Sequence, residues 1–221
     1  MIANPYNNPR SLPYKFRQRR FRHVKALIER SLQKKGACKI LDIGGEEIYW
    51  HIADDFVRHN NVEIHLLNHV PITVNRAKYS SMVGDAANLD HLNDNSYDLV
   101  HSNSVIEHVG NWRRMEAMAS HVRRLAPSYF VQTPHFWFPF EPHFRCPIFH
   151  WLPEQIRYRL LLNLNLGFGG RRHSVQAAME AVQSASLLDA RQFSTLFSDA
   201  VIVRERFMFV TKSLMAIRSP S

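Results

Sequence analysis

The stretch Lys39-Ile-Leu-Asp-Ile-Gly-Gly-Glu-Glu-Ile-Tyr49 decides how the rest of the chain is read. The apolar run from Ile40 to Ile43 has the length and residue types of a buried strand, and it stops at Gly44-Gly45. Beyond the glycines, Tyr49, Ile52, Ala53, Phe56 and Val57 recur at helical spacing. The segment is therefore a strand, a tight turn and a helix running to about His59. In an open α/β sheet such a crossover sets backbone N–H groups and a helix start at the carboxyl edge, where ligands gather. A purely structural turn has the same pattern, so the neighbouring segments must decide between the two.

Those segments repeat the alternation. On the amino-terminal side, prolines 5, 9 and 13 predict an extended arm over residues 1–15, and Phe21, Val24, Ile28 and Leu32 predict an amphipathic helix closed by Gly36. On the other side, strands are expected at Val62–Leu67, Ser81–Val83, Tyr97–Val100 and Ser128–Gln132, with a helix from Trp112 to Leu125 stopped by Pro127. Strand and helix alternating in this way predict a parallel, doubly wound sheet. Further helices are expected at 154–166 and 174–185, with glycines 167, 169 and 170 breaking the chain between them. Ser186 and Asp189 read as a capping box for a helix ending near Phe197. Two closing strands, Val201–Val203 and Phe207–Ile217, are interrupted by Arg204-Glu205-Arg206.

A length of 221 residues accommodates one well-buried α/β domain, with residues 1–35 as arm and helix and 135–185 as an insertion or lid. The 45% hydrophobic content excludes a disordered chain. No apolar run is long enough to span a bilayer, and the N-terminus has no apolar core of a secretory signal. Only Cys38 and Cys146 occur, without metal-ligand spacing, so a reduced cytoplasmic protein is the expectation. A formal charge of +9 favours anionic partners: an anionic acceptor, weak contact with a membrane surface or, less favoured, nucleic acid.

Three motifs in order then carry a resemblance. Leu41-Asp42-Ile43-Gly44-Gly45, Gly84-Asp85-Ala86 with Leu89, and Tyr97-Asp98-Leu99-Val100 followed by Glu107-His108-Val109 are together similar to the motifs of class I S-adenosylmethionine (SAM)-dependent methyltransferases of type 11. The resemblance covers roughly residues 36–134 and, more loosely, 186–218. It implies a Rossmann-like, mostly parallel seven-stranded sheet with helices on both faces and the last strand antiparallel. It also implies SAM as cofactor. Asp42, Gly44 and Gly45 would meet the methionine part, Asn68 the ribose, Asp85 and Ala86 the adenine, with Ser102 and Asn103 below the sulfur. The pattern is incomplete: Glu46 and Ile48 stand where further glycines are usual, and Asn68 replaces the acid that normally holds the ribose hydroxyls.

Residues 135–153 are rich in aromatics and proline, which excludes a long helix or central strand and predicts an irregular wall on the ligand side. The run Phe138-Pro-Phe-Glu-Pro-His-Phe-Arg145 resembles a form found in bacterial methyltransferases of undetermined acceptor, linked with surface-glycan genes. His135, Trp137, Glu141 and Arg145 are the candidate acceptor-binding residues, and His108 and His143 the candidate general bases. His135, Glu141, His143, Arg145 and His150 are equally well read as polar side chains tying down a proline-rich loop. The spacing of His135, His143 and His150 fits no recognised ligand set, so no metal is expected.

The leading expectation is a methyltransferase acting on a small-molecule, sugar or lipid-linked glycan acceptor. Two alternatives stay open: a non-catalytic SAM-fold binding or scaffold protein, suggested by the divergent glycine loop, and a basic peripheral module binding membranes or nucleic acid.

Overall fold

The computed structural model describes residues 10–220 apart from 142, 145 and 168. The chain enters through helix α1 (Leu12–Lys35), whose Ser11 cap accepts from Tyr14 N at 3.2 Å and whose first turn carries Pro13. A proline there gives up an N–H that would have had no helical partner, so α1 begins three residues earlier than the end of the expected arm. Residues 1–9 of that arm lie outside the described residues.

Strands β1 (Cys38–Ile43), β2 (Val62–Asn68), β3 (Tyr79–Val83), β4 (Leu99–Asn103) and β5 (Ser128–Pro134) run parallel. Strands β8 (Val201–Phe207) and β9 (Val210–Arg218) complete a seven-stranded sheet of order β3-β2-β1-β4-β5-β9-β8, with β9 antiparallel to both neighbours. Strand order reverses at β1, which pairs with β2 on one side and β4 on the other. The crevice above that reversal is where an open sheet of this kind binds ligands.

Side chains alternate along each strand, so every strand feeds two cores. On one face α1 and the short helices α2 (Glu47–Trp50) and α3 (Asp54–His59) press Val24, Ile28, Trp50 and Val57 on Ile40, Ile64 and Phe130. On the other, α4 (Trp112–Leu125) and α7 (Ala190–Leu196) press Met118, Val122, Phe193 and Leu196 on Leu41, Val100 and Val131. Each such fully buried side chain contributes about 1.5–3 kcal/mol. Between β5 and α7 the chain forms a small ribbon, β6 (Phe140–Glu141) with β7 (Cys146–Pro147), and helices α5 (Glu154–Asn163) and α6 (Val175–Gln183). Phe144, Phe149, Leu161 and Val182 give this segment its own smaller cluster.

Three local expectations are corrected. The single helix over 49–59 is two short helices joined by a 3-10 turn at His51–Ala53, because Asp54 and Asp55 open α3 as acids at a fresh helix N-terminus. The capping box is Asp189 with Gln192, each side chain bonding the other's backbone, rather than Ser186 with Asp189. Arg204-Glu205-Arg206 continues β8, and the hairpin turns at Met208-Phe209, with Met208 at φ 54.

Candidate active site

The glycine turn is built from inside the protein. Gly44 has φ +70, and a Cβ on it would lie 2.4 Å from Val105 Cγ2; a Cβ on Gly45 would lie 2.0 Å from Asp42 Oδ2. Side chains are thus excluded at both positions by the protein's own groups. Asp42 is 1% exposed and accepts from Trp50 Nε1 at 2.7 Å through Oδ2, while its Oδ1 is 2.6 Å from His101 Nδ1. Both oxygens of the expected methionine-binding acid therefore face inward. The Tyr49 ring packs on His101 with centroids 4.7 Å apart, beneath the Arg17 guanidinium. Asn68 Nδ2 donates to Gly45 O at 2.6 Å, tying the end of β2 to the turn.

The outer rim is more open. Asp85 is exposed, with both carboxylate oxygens 2.8 Å from Arg114 Nη2, and that hydrogen bond holds its carboxyl below the ordinary aspartate range. Ala86 beside it is half-buried. Ser102 at the end of β4 is buried, and its Oγ has no hydrogen-bond partner among the described residues. Asn103 Oδ1 accepts from Arg20 Nη1 at 3.0 Å, and the same guanidinium donates to Gln132 Oε1 at 2.7 Å. Arg20, buried and 3.5 Å from Glu205, locks α1 to the ends of β4, β5 and β8. Sequence reasoning missed it, although it falls on the buried stripe Phe16, Arg20, Val24, Ile28 of α1, where a lone arginine is itself a signal.

A second polar group lies past the carboxyl ends of β4 and β5. Glu107 and His108 occupy the 3-10 turn Ile106–His108, and His143 follows β6. His108 Nε2 and His143 Nε2 are 3.1 Å apart. His143 Nδ1 is 2.6 Å from Glu141 Oε1, and His108 Nδ1 is 2.7 Å from Ser184 O. Glu107, 1% exposed, accepts from Thr133 Oγ1 at 3.0 Å, and its Oε1 has no partner among the described residues. Burial pushes the Glu107 carboxyl up to about 7. For His143, burial acts downward but is outweighed by the bond to and charge of Glu141, so its pKa rises; burial pulls His108 down.

The two candidate bases are thus neighbours. Of the expected acceptor-binding residues, Glu141 is buried beside them, but His135 faces Thr211 O at 3.3 Å and Trp137 is 57% exposed against Trp151. Arg145 lies outside the described residues. The histidines 135, 143 and 150 do not converge: His150 Nε2 is 2.7 Å from Phe136 O. Next to His143 is a cavity of about 430 Å³ whose lining includes Phe144, Leu166, Arg172, Glu180 and Ser184. Apart from His143, sequence reading named none of these as site residues.

A mostly parallel sheet with this strand order, a glycine turn at its switch point and an acid just past the end of β3 defines a Rossmann-like fold. A methyltransferase-domain family matches residues 53–130. That match covers about a third of the chain and, with a sheet of this order, supports the class I SAM-dependent methyltransferase superfamily, whose members use SAM. Solved structures share the fold at low identity. A chain of the complex between the Haloferax volcanii Trm112 methyltransferase activator and a methyltransferase is 10% identical, with 94% of this chain and 93% of that one covered and a TM-score of 0.51. An O-methyltransferase family protein from Burkholderia thailandensis is 11% identical, covering 91% of this chain and 56% of its own, with a TM-score of 0.52. A variant of LepI, solved with S-adenosylhomocysteine and a substrate analogue, is 8% identical over 84% of this chain and 43% of its own, with a TM-score of 0.50. No curated protein matches the sequence.

The residues fit SAM at the rim and not at the innermost acid. Asp85 is reachable and Ser102 Oγ is an unpaired polar atom at the strand ends. Asp42 is committed to Trp50 and His101 and supports the turn from beneath. No described helix is long and apolar enough to cross a membrane.

Proposed function

We propose that the chain is an active SAM-dependent methyltransferase whose acceptor is a small molecule, sugar or lipid-linked glycan. The observation that carries this reading is the pair His108–His143, buttressed by Glu141 and beside a cavity, on the same carboxyl side of the sheet as the glycine turn. Bound SAM supplies a methyl group already activated on sulfur, so the protein has to position, desolvate and manage one proton.

In this reading Asp85 and Ala86 hold the adenine, Asn68 the ribose, and Gly44, Gly45, Ser102 and Asn103 line the path of the methionine part. Asp42 and His101 keep the turn in shape. The acceptor occupies the cavity under α6, where Arg172 favours a molecule with anionic character. Its proton is managed on the Nε2 side of the His108–His143 pair, with Glu141 and the Ser184 carbonyl holding the opposite ring nitrogens.

The sequestered Asp42 favours a second reading, a protein of the same fold that binds or scaffolds without transferring methyl groups. Calorimetry with SAM and with S-adenosylhomocysteine tests the first. One-site binding at micromolar concentration is expected, and no heat at millimolar concentration would sink it.

A further inference from the structure

The ring nitrogens of His108 and His143 pose a hydrogen-bonding problem. Ser184 O is a carbonyl oxygen and only accepts, so His108 Nδ1 must carry its proton toward it. Glu141 Oε1 faces His143 Nδ1 at 2.6 Å while Glu141 Oε2 accepts from Phe144 N, so as a carboxylate Glu141 takes a proton from Nδ1 as well. In their neutral forms both imidazoles are then unprotonated at Nε2, and those two lone pairs oppose each other at 3.1 Å. Two like lone pairs at that distance repel unless something positive stands between or beside them.

A carboxylate oxygen of Glu107 completes the group, all three donors lying within 4.8 Å of one another. Glu107 is 1% exposed and its Oε1 has no hydrogen-bond partner among the described residues, an arrangement that costs free energy in an apolar surround. We infer that Glu107, His108 and His143 form a binding site for a divalent transition-metal cation of the zinc class, with an open position toward the cavity beside His143.

Three features support the assignment. Two nitrogens at zinc-ligand distance from a tetrahedral ion stand about 3.3 Å apart, close to the spacing found here. Both histidines have their other ring nitrogen fixed, one by a carboxylate and one by a backbone carbonyl, as metal-ligating histidines do. Two imidazoles with one carboxylate and an open fourth position is a donor set that suits zinc and leaves room for an oxygen of the acceptor. Glu107 is in turn oriented by Thr133 Oγ1 at 3.0 Å. The inference deepens the acceptor half of the proposed reading: with both Nε2 lone pairs on the cation, the pair acts on the acceptor's proton through that cation, which makes a coordinated hydroxyl more acidic so that its proton passes to solvent water in the cavity. It does not require the cofactor half.

The competing arrangement is one extra proton shared between the two Nε2 atoms, and it predicts no metal affinity. Chelator-treated protein titrated with zinc chloride by calorimetry, and with cobalt(II) by visible absorption, separates them. One ion per chain and the absorption bands of tetrahedral cobalt are expected. His143→Ala and Glu107→Gln should each weaken zinc binding about 100-fold or more, and Thr133→Val, which removes only the orienting hydroxyl, about 10-fold. His150→Ala, outside the set, should leave affinity unchanged, and circular dichroism shows that each variant is folded. Absence of heat and cobalt bands at millimolar metal, or zinc binding that survives His143→Ala in a folded protein, overturns the site. S-adenosylhomocysteine titrated into the same preparation keeps the two proposals apart, since either can fail while the other stands.

Discussion

The crevice above β1 and β2 and the group past β4 and β5 sit on the same side of one sheet, yet they handle polar atoms in opposite ways. In the first, Asp42 accepts from Trp50 and faces His101 while Asn68 donates to Gly45, so the carboxylate inside the turn has no oxygen to spare. His101 Nε2 and Ser102 Oγ are left without a partner among the described residues, but they do not converge on it. In the second, two imidazole nitrogens face each other and Glu107 Oε1 has no hydrogen-bond partner among the described residues. Internally satisfied groups stabilise a loop, whereas convergent unsatisfied ones mark a place where a ligand completes the structure. On the proposed reading, the frame for the cofactor is set by the fold itself, while the acceptor end depends on what enters it.

The two cysteines report on this contrast with the largest expected effect. Cys38 lies in β1, 1% exposed, and burial pushes its thiol up to about 12. At pH 8 about one Cys38 in ten thousand is then a thiolate, and access is blocked as well. Cys146, half-buried in β7, has no such cover. Iodoacetamide on native protein should modify Cys146 at least about 1000-fold faster than Cys38, with equal labelling in denaturant. Comparable native rates, read by peptide mass spectrometry, would mean that β1 opens readily and that the crevice is not the rigid half.

Removing the inward carboxylate comes next. Asp42→Ala leaves Trp50 Nε1 and His101 Nδ1 buried without an acceptor, so unfolding in urea should show a loss of about 3 kcal/mol or more. Asp42→Asn keeps one acceptor oxygen and should lose less. If Asp42→Ala retains stability and instead loses S-adenosylhomocysteine binding, the acid serves the ligand and the division between the two regions collapses. At the rim the signs reverse. Asp85→Ala should weaken S-adenosylhomocysteine about 10-fold while leaving stability within about 1 kcal/mol, because its ion pair with Arg114 is exposed.

The crevice was legible in the sequence because strand period, glycine pair and helix spacing are local signals, and three of them recur in order. The inward turn of Asp42 was not, since its partners Trp50 and His101 are ordinary core residues until the fold sets them beside it. His101, a polar residue inside Leu99-Val100-His101, was the one hint. Glu107, His108 and His143 were each visible, but their meeting requires two excursions, after β4 and after β6, to be brought together by tertiary packing. Met208-Phe209 was missed as a turn because neither residue carries the glycine or asparagine signature of a left-handed position.

Arg114 offers the finest test of the rim. Its Nη2 holds both oxygens of Asp85 at 2.8 Å, and its Nε donates to Val109 O, so the guanidinium lies across the carboxylate that is proposed to receive the adenine amine. Both side chains are close to half exposed, which limits the pair's worth to about 0–1 kcal/mol. Arg114→Ala should therefore change the urea midpoint little. Asp85 remains ionised at neutral pH without its partner, because an exposed aspartate loses its proton well below neutrality. Freed oxygens then accept the amine without first releasing an arginine, and S-adenosylhomocysteine affinity should rise about two- to fivefold. A fall of similar size would mean that Arg114 holds Asp85 in its binding posture, making the rim preorganised like the turn beneath it.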